Sequence, residues 1–427
     1  MKTLISNPSS LNFCIYGLGS TGESVVKYLK RKNFHNIKVW DDKIKLKSKK
    51  KNFSKYLDFS DYIILSPGIS LNNAKLKSKL IKNKKKIITD IDLFYLFNRN
   101  IKSIVITGTN GKSTTCKILE HVLKQNKINV KLGGNIGKPI LDINLNSNPI
   151  VIIEASSFQL AYSKFIKPDF AAILNITKDH LDWHSSMKDY VDSKFKIFSN
   201  QNNNDFAYLN NKVLIKKFKK NKFSSKLKYI NINKYKKLQN KINNSYLRSE
   251  VNIENLSYIF ELSKKLKIKE NNIIKTLKNF KGLEHRHEIF YKKNNKIFIN
   301  DSKATSFDAT KSALKSNKNI FWIVGGLPKI GDKFKINGLK KNIIKAYVIG
   351  NYLKYFQKIF TNRIDYELSK NMKNAIVSLF KDIRKFNQKK ITILLSPACA
   401  SYDQYKNFEQ RGNNFKNLII QYAKKYF

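Results

Sequence analysis

Short apolar runs that end in glycine or polar residues recur along the chain, and they predict the strands of a parallel sheet. The segment Ser20–Lys30 between the first two runs has the apolar spacing of a helix. Strands that alternate with helices in this way follow the βαβ order of parallel sheets. In the first block the predicted strands are Phe13–Tyr16, Ile37–Trp40, Tyr62–Leu65 and Ile87–Thr89.

The same alternation continues through two further blocks, whereas residues 200–245 predict only weaker strands and surface loops. We therefore predict an α/β protein of three domains with mostly parallel sheets, at residues 1–92, 93–282 and 283–427. The further predicted strands are Ile104–Ile106, Ile150–Ile153, Phe170–Leu174, Ile297–Ile299, Ile320–Val324, Ala346–Ile349 and Ile391–Leu395.

The charge of the chain is extreme, with 83 basic against 30 acidic residues and a net charge of +53. A basic protein that binds nucleic acid is one interpretation. The lysines, however, recur in nearly every block of ten rather than in one patch, which favours a dispersed composition and no specific nucleic-acid partner. The positive electrostatic potential of such a dispersed charge would still attract phosphorylated substrates.

Neither the cysteines nor the apolar runs indicate a secreted or membrane protein. Cys14, Cys116 and Cys399 have no metal-ligand spacing and form no disulfide framework. No apolar run approaches the roughly 18 residues that span a bilayer, and the N-terminus lacks a signal-peptide pattern. We expect a cytoplasmic monomer without membrane insertion.

The segment Thr107–Thr114 lies between a predicted strand and a predicted helix, and its sequence indicates a phosphate-binding loop. Its glycines allow backbone N–H groups to surround phosphate oxygens, Lys112 adds a point charge, and Ser113 offers a hydroxyl to Mg²⁺. Ile106 stands where the strict P-loop pattern has its first glycine. We predict that ATP binds here, through Gly108, Thr109, Asn110, Gly111, Lys112, Ser113 and Thr114.

A second glycine loop, Gly17–Gly22, follows the first predicted strand, and Asp41 closes the next one. This is the pattern of a dinucleotide-binding fingerprint. Taken alone it favours a nicotinamide or flavin enzyme, although the physical argument extends only to an anion at the start of a helix.

Two further polar groups lie at strand ends near the ATP loop. Glu154 and His180 each follow a predicted strand, where a carboxylate and an imidazole would hold one or two Mg²⁺ ions beside the phosphates. Lys194 lies on a predicted helix, Lys188–Phe198, and as one lysine among many it carries no prediction of its own.

The third block contains two donor-rich loops at strand ends, Asn300–Thr305 and Ser396–Ser401. Lys303, Thr305 and Ser401 would bind small carboxylates by charge-assisted hydrogen bonds. Cys399 is disfavoured as a nucleophile, because no histidine lies near it in the sequence.

These motifs together resemble the Mur ligase family, and within it the branch that adds D-glutamate to UDP-N-acetylmuramoyl-L-alanine. The resemblance covers essentially the whole chain in order. The segments that carry it are Gly17–Gly22, Ser66–Gly68, Thr89–Phe94, Gly108–Thr114, Gly133–Gly137, Glu154–Leu160, Asn175–Asp182, Gly282–Arg286, Asn300–Thr305 and Ser396–Gly412.

The resemblance implies a Rossmann-like first domain for the UDP substrate, a P-loop-type central domain for ATP, and a Rossmann-like third domain for D-glutamate. It implies two Mg²⁺ ions near Ser113, Glu154, His180 and Lys194, with Lys194 carbamylated. Asn255, Arg286 and Asp301 would contact ATP. The UDP substrate would lie at Gly19, Ser20, Thr21, Asp41, Gly68 and Asn135, and D-glutamate at Lys303, Thr305, Lys329, Ser401 and Phe408.

Three positions depart from the family pattern: Val251, Ser306 and Leu327. None of them removes a phosphate, metal or carboxylate ligand, so we expect an active enzyme. The alternatives are a sibling ligase for another amino acid, a nucleic-acid-binding protein, and a dehydrogenase that rests on Gly17–Gly22 alone.

Overall fold

The computed structural model describes residues 11–44, 50–244, 246–248, 250–329, 332, 334–386 and 390–426. The chain divides into two compact units, Met1–Phe280 and Lys281–Phe427. The first unit contains two sheets and the second contains one.

The first sheet of unit Met1–Phe280 has four parallel strands in the order β2-β1-β3-β4. Its strands are β1 (Phe13–Tyr16), β2 (Ile37–Trp40), β3 (Tyr62–Leu65) and β4 (Ile87–Ile88). The helices of this region are α1 (Ser20–Arg31), α2 (Lys50–Phe59), α3 (Lys77–Lys82) and α4 (Asp90–Phe97).

The second sheet has six parallel strands in the order β10-β9-β8-β5-β7-β6, so β5 lies in the interior between β8 and β7. Its strands are β5 (Ser103–Thr107), β6 (Val130–Gly134), β7 (Ile150–Glu154), β8 (Phe170–Ile173), β9 (Phe206–Leu209) and β10 (Lys226–Tyr229). Its helices are α5 (Lys112–Gln125), α6 (Ser157–Ala161), α7 (Leu181–His184), α8 (Met187–Phe195), α9 (Lys212–Lys220), α10 (Ile232–Ile242), α11 (Glu250–Lys265) and α12 (Glu270–Lys278).

Unit Lys281–Phe427 contains six strands in the order β11-β12-β16-β13-β14-β15. All neighbours are parallel except β11, which runs antiparallel to β12 at the sheet edge. The strands are β11 (Glu288–Lys293), β12 (Lys296–Asn300), β13 (Ile320–Gly325), β14 (Ile343–Ile349), β15 (Tyr366–Lys370) and β16 (Ile391–Leu395). The helices are α13 (Phe307–Ser316), α14 (Leu353–Phe360), α15 (Met372–Ile383) and α16 (Phe408–Tyr426).

The prediction of an α/β protein with mostly parallel sheets is confirmed, whereas the prediction for residues 200–245 was wrong in its helices. That region contains α9 and α10 as well as β9 and β10. Both helices are rich in lysine, yet each buries an apolar face, through Leu214 and Phe218 in α9 and through Leu238 and Ile242 in α10. The long lysine side chains obscured this helical period in the sequence.

The domain limits at residues 92 and 282 stay a prediction. The helix predicted over Lys188–Phe198 ends as an α-helix at Phe195 and continues as a short 3₁₀ turn. In the described part of the chain, no helix is both long and apolar enough to cross a membrane.

The buried strands place their carboxyl ends where the candidate residues lie. Residues Ser103–Thr107 of β5 are buried throughout, as are Phe170–Ile173 of β8. Because the strands are parallel, the loops that follow β5, β7 and β8 emerge at the same edge of the sheet, which is where open α/β sheets bind their ligands.

Candidate active site

The loop between β5 and α5 has a backbone conformation that requires glycine. Gly111 caps the start of α5 in the left-handed region, with φ of 84°. A Cβ on Gly111 would lie 2.3 Å from Oδ1 of Asn255, and Thr115 donates to that same oxygen at 3.1 Å. Asn255, which is buried, therefore supports the loop from α11.

The other residues of the loop are held by the segment that follows β8. The backbone N–H of Asn110 donates to Asn175 Oδ1 at 2.8 Å. The hydroxyl of Thr109 lies 2.8 Å from that of Tyr190. Ser113 and Thr114 are both buried in the first turn of α5. These contacts fix the conformation of the loop.

Two lysine ammonium groups converge on the loop backbone. Lys112 Nζ donates to the carbonyls of Gly108 and Thr109, at 2.9 and 2.8 Å. Lys194 Nζ donates to the Gly108 carbonyl at 2.8 Å and lies 4.5 Å from the centre of the Tyr190 ring. Burial, and then the charge of Lys112, hold the pKa of Lys194 well below the usual value for lysine.

Glu154 ends β7 directly beside β5, where it pairs in register with Ile106. Its Oε1 accepts a hydrogen bond from Asn135 Nδ2 at 2.9 Å. Its Oε2 is buried and has no hydrogen-bond partner among the described residues. A buried carboxylate oxygen without a partner is costly, and a bound cation would compensate it.

His180 lies in the loop after β8, in the left-handed region with φ of 54°. Its Nε2 is 3.3 Å from Asp179 Oδ2, and its ring lies 4.7 Å from that of Phe158. Within the described ranges, no group of three or more His, Cys, Asp or Glu residues could hold a metal. The predicted Mg²⁺ site does not depend on such a group of three, because Ser113 and a modified Lys194 would supply donors in addition to Glu154 and His180.

The six residues predicted to bind the UDP substrate line one cavity of about 610 Å³. Its shape depends on close backbone approach, since a Cβ on Gly22 would lie 1.9 Å from the Gly17 carbonyl oxygen. Asp41 accepts from the backbone N–H of Leu18 at 2.7 Å, which fixes the glycine loop. The predicted residues in the lining are Gly19, Ser20, Thr21, Asp41, Gly68 and Asn135.

The cavity lining also contains residues that were not predicted from the sequence, among them Asp42 and Gln159. Asp42 accepts hydrogen bonds from Tyr16 Oη and Trp40 Nε1 at 2.8 and 2.9 Å. Gln159 lines the cavity and donates to the buried carboxylate of Asp90 at 3.1 Å. Gln159 lies in the segment Glu154–Leu160, which carries part of the family resemblance, but the sequence does not indicate the direction of its side chain.

Four of the five predicted D-glutamate residues lie on loops of unit Lys281–Phe427 that follow neighbouring strands, and the fifth, Phe408, begins α16. Lys303 Nζ lies 3.7 Å from the centre of the Phe408 ring. Leu327 and Ala400 exchange backbone hydrogen bonds at 2.9 and 3.0 Å, which joins the loop that contains Lys329 to the loop that contains Ser401. Thr305 lies in the loop between β12 and α13.

Asp301, which was predicted to contact ATP, is half-buried directly after β12. It accepts from the hydroxyl of Ser396 at 2.7 Å and from the backbone N–H of His287 at 3.1 Å. Burial raises the pKa of Asp301 to about 7, and the hydrogen bond from Ser396 and the charge of Arg286 oppose the rise. The protonated form of Asp301 is therefore favoured to a higher pH than in a free aspartate.

Comparison with known proteins identifies the family. The model of the Mur ligase middle domain matches residues 106–276. The UDP-N-acetylmuramoylalanine–D-glutamate ligase of Rickettsia prowazekii (strain Madrid E) is 35% identical, over 95% of this chain and 96% of that protein. The ligase of the same name from Francisella tularensis subsp. tularensis (strain SCHU S4 / Schu 4) is 34% identical, over 96% of each chain.

Solved structures show the same fold at low sequence identity. The MurF ligase of Thermotoga maritima in complex with ADP superposes with a TM-score of 0.58 and 14% identity, over 100% of both chains. The UDP-N-acetylmuramate–alanine ligase MurC of Thermotoga maritima gives 0.57 and 16%, over 97% of this chain and 100% of that one. From the similarity of its full-length relatives, this chain belongs to the Mur ligase family of enzymes.

Proposed function

We propose that the chain uses ATP to join D-glutamate to UDP-N-acetylmuramoyl-L-alanine, giving ADP and phosphate, in the cytoplasmic synthesis of peptidoglycan precursors. The observation that carries the proposal is the unpartnered, buried Oε2 of Glu154 at the strand end next to the Gly108–Thr114 loop. A bare carboxylate beside a phosphate-binding loop fits a metal–phosphate centre. The names of the Rickettsia and Francisella relatives support the choice of substrates.

The loop residues Gly108 to Thr114 bind the ATP phosphates in this proposal, with Asn255, Arg286 and Asp301 as further contacts. The backbone N–H groups of the loop and the N-terminus of α5 favour the binding of a negatively charged group. Lys112 leaves the carbonyls of Gly108 and Thr109 when the phosphates arrive, because a phosphate oxygen is a stronger acceptor for an ammonium group than a neutral carbonyl is.

The donors around the loop fit Mg²⁺. Ser113, Glu154, His180 and Lys194 would hold two ions, and these ions, when bound, supply positive charge that neutralises the transferring phosphoryl group. Lys194 fits this set only as a carbamate, since an ammonium group would repel a cation. Its lowered pKa favours the neutral amine, which reacts with CO₂ and releases a proton.

The chemistry then proceeds in two balanced steps. The terminal carboxylate of the nucleotide substrate attacks the γ-phosphorus, a new O–P bond forms, and the bond to ADP breaks, while Lys112 offsets charge between the approaching anions. The amine of D-glutamate then attacks the acyl phosphate. The tetrahedral intermediate loses phosphate and a proton, and an amide remains.

The nucleotide substrate occupies the 610 Å³ cavity in the proposal, with its UDP end at the Gly17–Gly22 loop and its muramoyl part near Asn135. Asn135 also donates to Glu154, so the end of this cavity is linked to the proposed metal site by one hydrogen bond of 2.9 Å. This link supports a proposed orientation in which the reacting carboxylate lies toward the phosphates.

The acceptor D-glutamate binds in unit Lys281–Phe427 at Lys303, Thr305, Ser401 and the backbone of Phe408, with Lys329 nearby. These residues offer an ammonium group, hydroxyls and an N–H group, which match the carboxylates of a dianionic amino acid. In the proposal, residues 1–92, 93–282 and 283–427 form the UDP-substrate, ATP and D-glutamate domains of a monomer.

Substrate omission tests the proposal. Phosphate release from ATP is measured with Mg²⁺ and with each combination of the nucleotide substrate and D-glutamate. The proposal requires release only when both are present. Phosphate release with neither of them, or tight and salt-sensitive nucleic-acid binding without ligase activity, would support the alternative functions instead.

A further inference from the structure

Arg411 is a buried cation whose role the proposed function leaves open. It lies in the first turn of α16 and is 1% exposed. Its Nε donates to Ser302 Oγ at 3.1 Å, and its Nη2 donates to the carbonyls of Ser302 and Cys399 at 2.9 and 3.0 Å. Each of these three bonds ends on an uncharged oxygen.

The environment of Arg411 makes its charge expensive. Its Nη1 is buried without a hydrogen-bond partner in the described part of the chain, and the first turn of a helix disfavours a cation. Burial lowers the pKa of the guanidinium to about 10, so the group stays charged at neutral pH. The charge of Asp403 opposes this lowering of the pKa, but a buried charge still lowers stability unless further interactions compensate it.

Arg411 joins the loops that carry the proposed acceptor residues. Ser302 precedes Lys303 in the loop after β12, and Cys399 lies two residues before Ser401 in the loop after β16. The hydroxyl of Ser302, which accepts from Arg411, donates in turn to the carbonyl of Phe408 at 2.8 Å.

A third strand end also meets this guanidinium. A Cβ on Gly326, directly after β13, would lie 3.2 Å from Nη1 and 2.3 Å from the carbonyl oxygen of Ala400. The cation thus lies where the ends of β12, β16 and β13, neighbours in the sheet, approach the start of α16.

We propose that Arg411 is a positioning residue for the acceptor amino acid, which fixes the spacing of Lys303, Ser401 and the Phe408 backbone and adds positive potential where the two carboxylates of the acceptor bind. This inference rests on the proposed function. Arg411 would then influence the affinity for the acceptor, and not the chemical step, without contacting the acceptor itself.

The test compares KM values in the full-length protein. Arg411→Lys keeps the charge but loses the planar fork that spans Ser302 and Cys399. Two lost charge-assisted bonds should raise the KM for D-glutamate about tenfold or more, while the KM values for ATP and the nucleotide substrate change by less than about twofold. Lys345→Met is the matched control, because it removes a half-buried cation of the same unit whose partners are Glu367 and Asp382.

A simple structural anchor would behave differently, with lower stability and an unchanged KM for D-glutamate, and that result overturns the inference. If Arg411→Lys does not fold, Ser302→Ala removes the hydroxyl that links Arg411 Nε to the Phe408 carbonyl and leaves the cation on its two backbone carbonyls. The same selective rise in KM is expected, and an unchanged KM again overturns the inference.

The proposed function fails separately, if the wild-type chain does not turn over D-glutamate. The KM comparison is then made with the amino acid that does support phosphate release. A selective rise for that acceptor upholds the role of Arg411, and its absence refutes that role.

Discussion

Lys112 and Lys194 donate to the same acceptor, the carbonyl oxygen of Gly108, at 2.9 and 2.8 Å. Two ammonium groups on one carbonyl repel each other, and burial disfavours the charge on Lys194 further. The arrangement is relieved if Lys112 turns to a phosphate and Lys194 becomes a carbamate. This pair therefore connects ATP binding to the proposed metal site.

Replacing Lys112 tests the phosphate role. Lys112→Ala removes the cation that offsets charge in the transition state, and kcat should fall by at least about 10²- to 10³-fold. Lys117→Ala is the control, since Lys117 lies on the same helix and pairs with Glu120 at 3.1 Å. A Lys112→Ala enzyme with wild-type phosphate release would contradict this role.

Replacing Lys194 tests the carbamate. We expect Lys194→Ala to be inactive and to recover part of its activity when formate or acetate is added, because a small carboxylate replaces the missing ligand. Lys112→Ala should gain nothing from the same additives, since it lacks a cation. Full activity of Lys194→Ala without additives would show that no carbamate is needed.

Replacing Gly111 tests the shape of the ATP loop. Alanine there combines an unfavourable φ of 84° with a Cβ 2.3 Å from Asn255 Oδ1. Gly338→Ala is a matched control, because its φ is 65° but nothing lies within 4 Å of the added Cβ. The control should cost about 1–2 kcal/mol of unfolding free energy, and Gly111→Ala should cost more and also weaken ATP binding in a titration. Equal costs with unchanged ATP affinity would exclude the close approach to Asn255.

Replacing Asp301 tests a pH dependence. The folded pKa of about 7 lies above the ordinary aspartate value of 3.8, so burial favours the protonated form. The contribution of Asp301 to stability is complete below about pH 4 and is lost as pH rises toward 7, by at most about 4 kcal/mol. Denaturant unfolding of Asp301→Asn should show a shallower decline over this window than the wild type does. Parallel curves would indicate that Asp301 is ionised throughout.

Strand positions could be predicted from the sequence where burial is complete. The bounds of Phe13–Tyr16 and Ile391–Leu395 agree with the structure because both are predominantly apolar runs that end at polar or glycine residues. The edge strand Tyr366–Lys370 was missed, since it alternates with polar and charged residues. The antiparallel strand Glu288–Lys293 was also missed; its short run Ile289–Tyr291 lies between charged residues.

The candidate residues could be named from motifs, but their contacts depend on residues far away in the sequence. The sequence indicated Gly111 and Asn255 separately as ATP-binding residues. The close approach of Asn255 to Gly111, however, depends on how α11 packs against α5. Arg411 lies in the segment Ser396–Gly412, but the sequence indicated no role for it, because its partners Ser302 and Cys399 belong to two loops that follow different strands.

The central claim is that ATP cleavage is coupled to D-glutamate, and the stereochemistry of the acceptor tests it most directly. Phosphate release and amide product are measured together with UDP-N-acetylmuramoyl-L-alanine, ATP and Mg²⁺, using D-glutamate in one reaction and L-glutamate in the other. We predict stoichiometric phosphate and amide with D-glutamate and neither with L-glutamate. Comparable turnover with L-glutamate, or phosphate release without amide, would contradict the account.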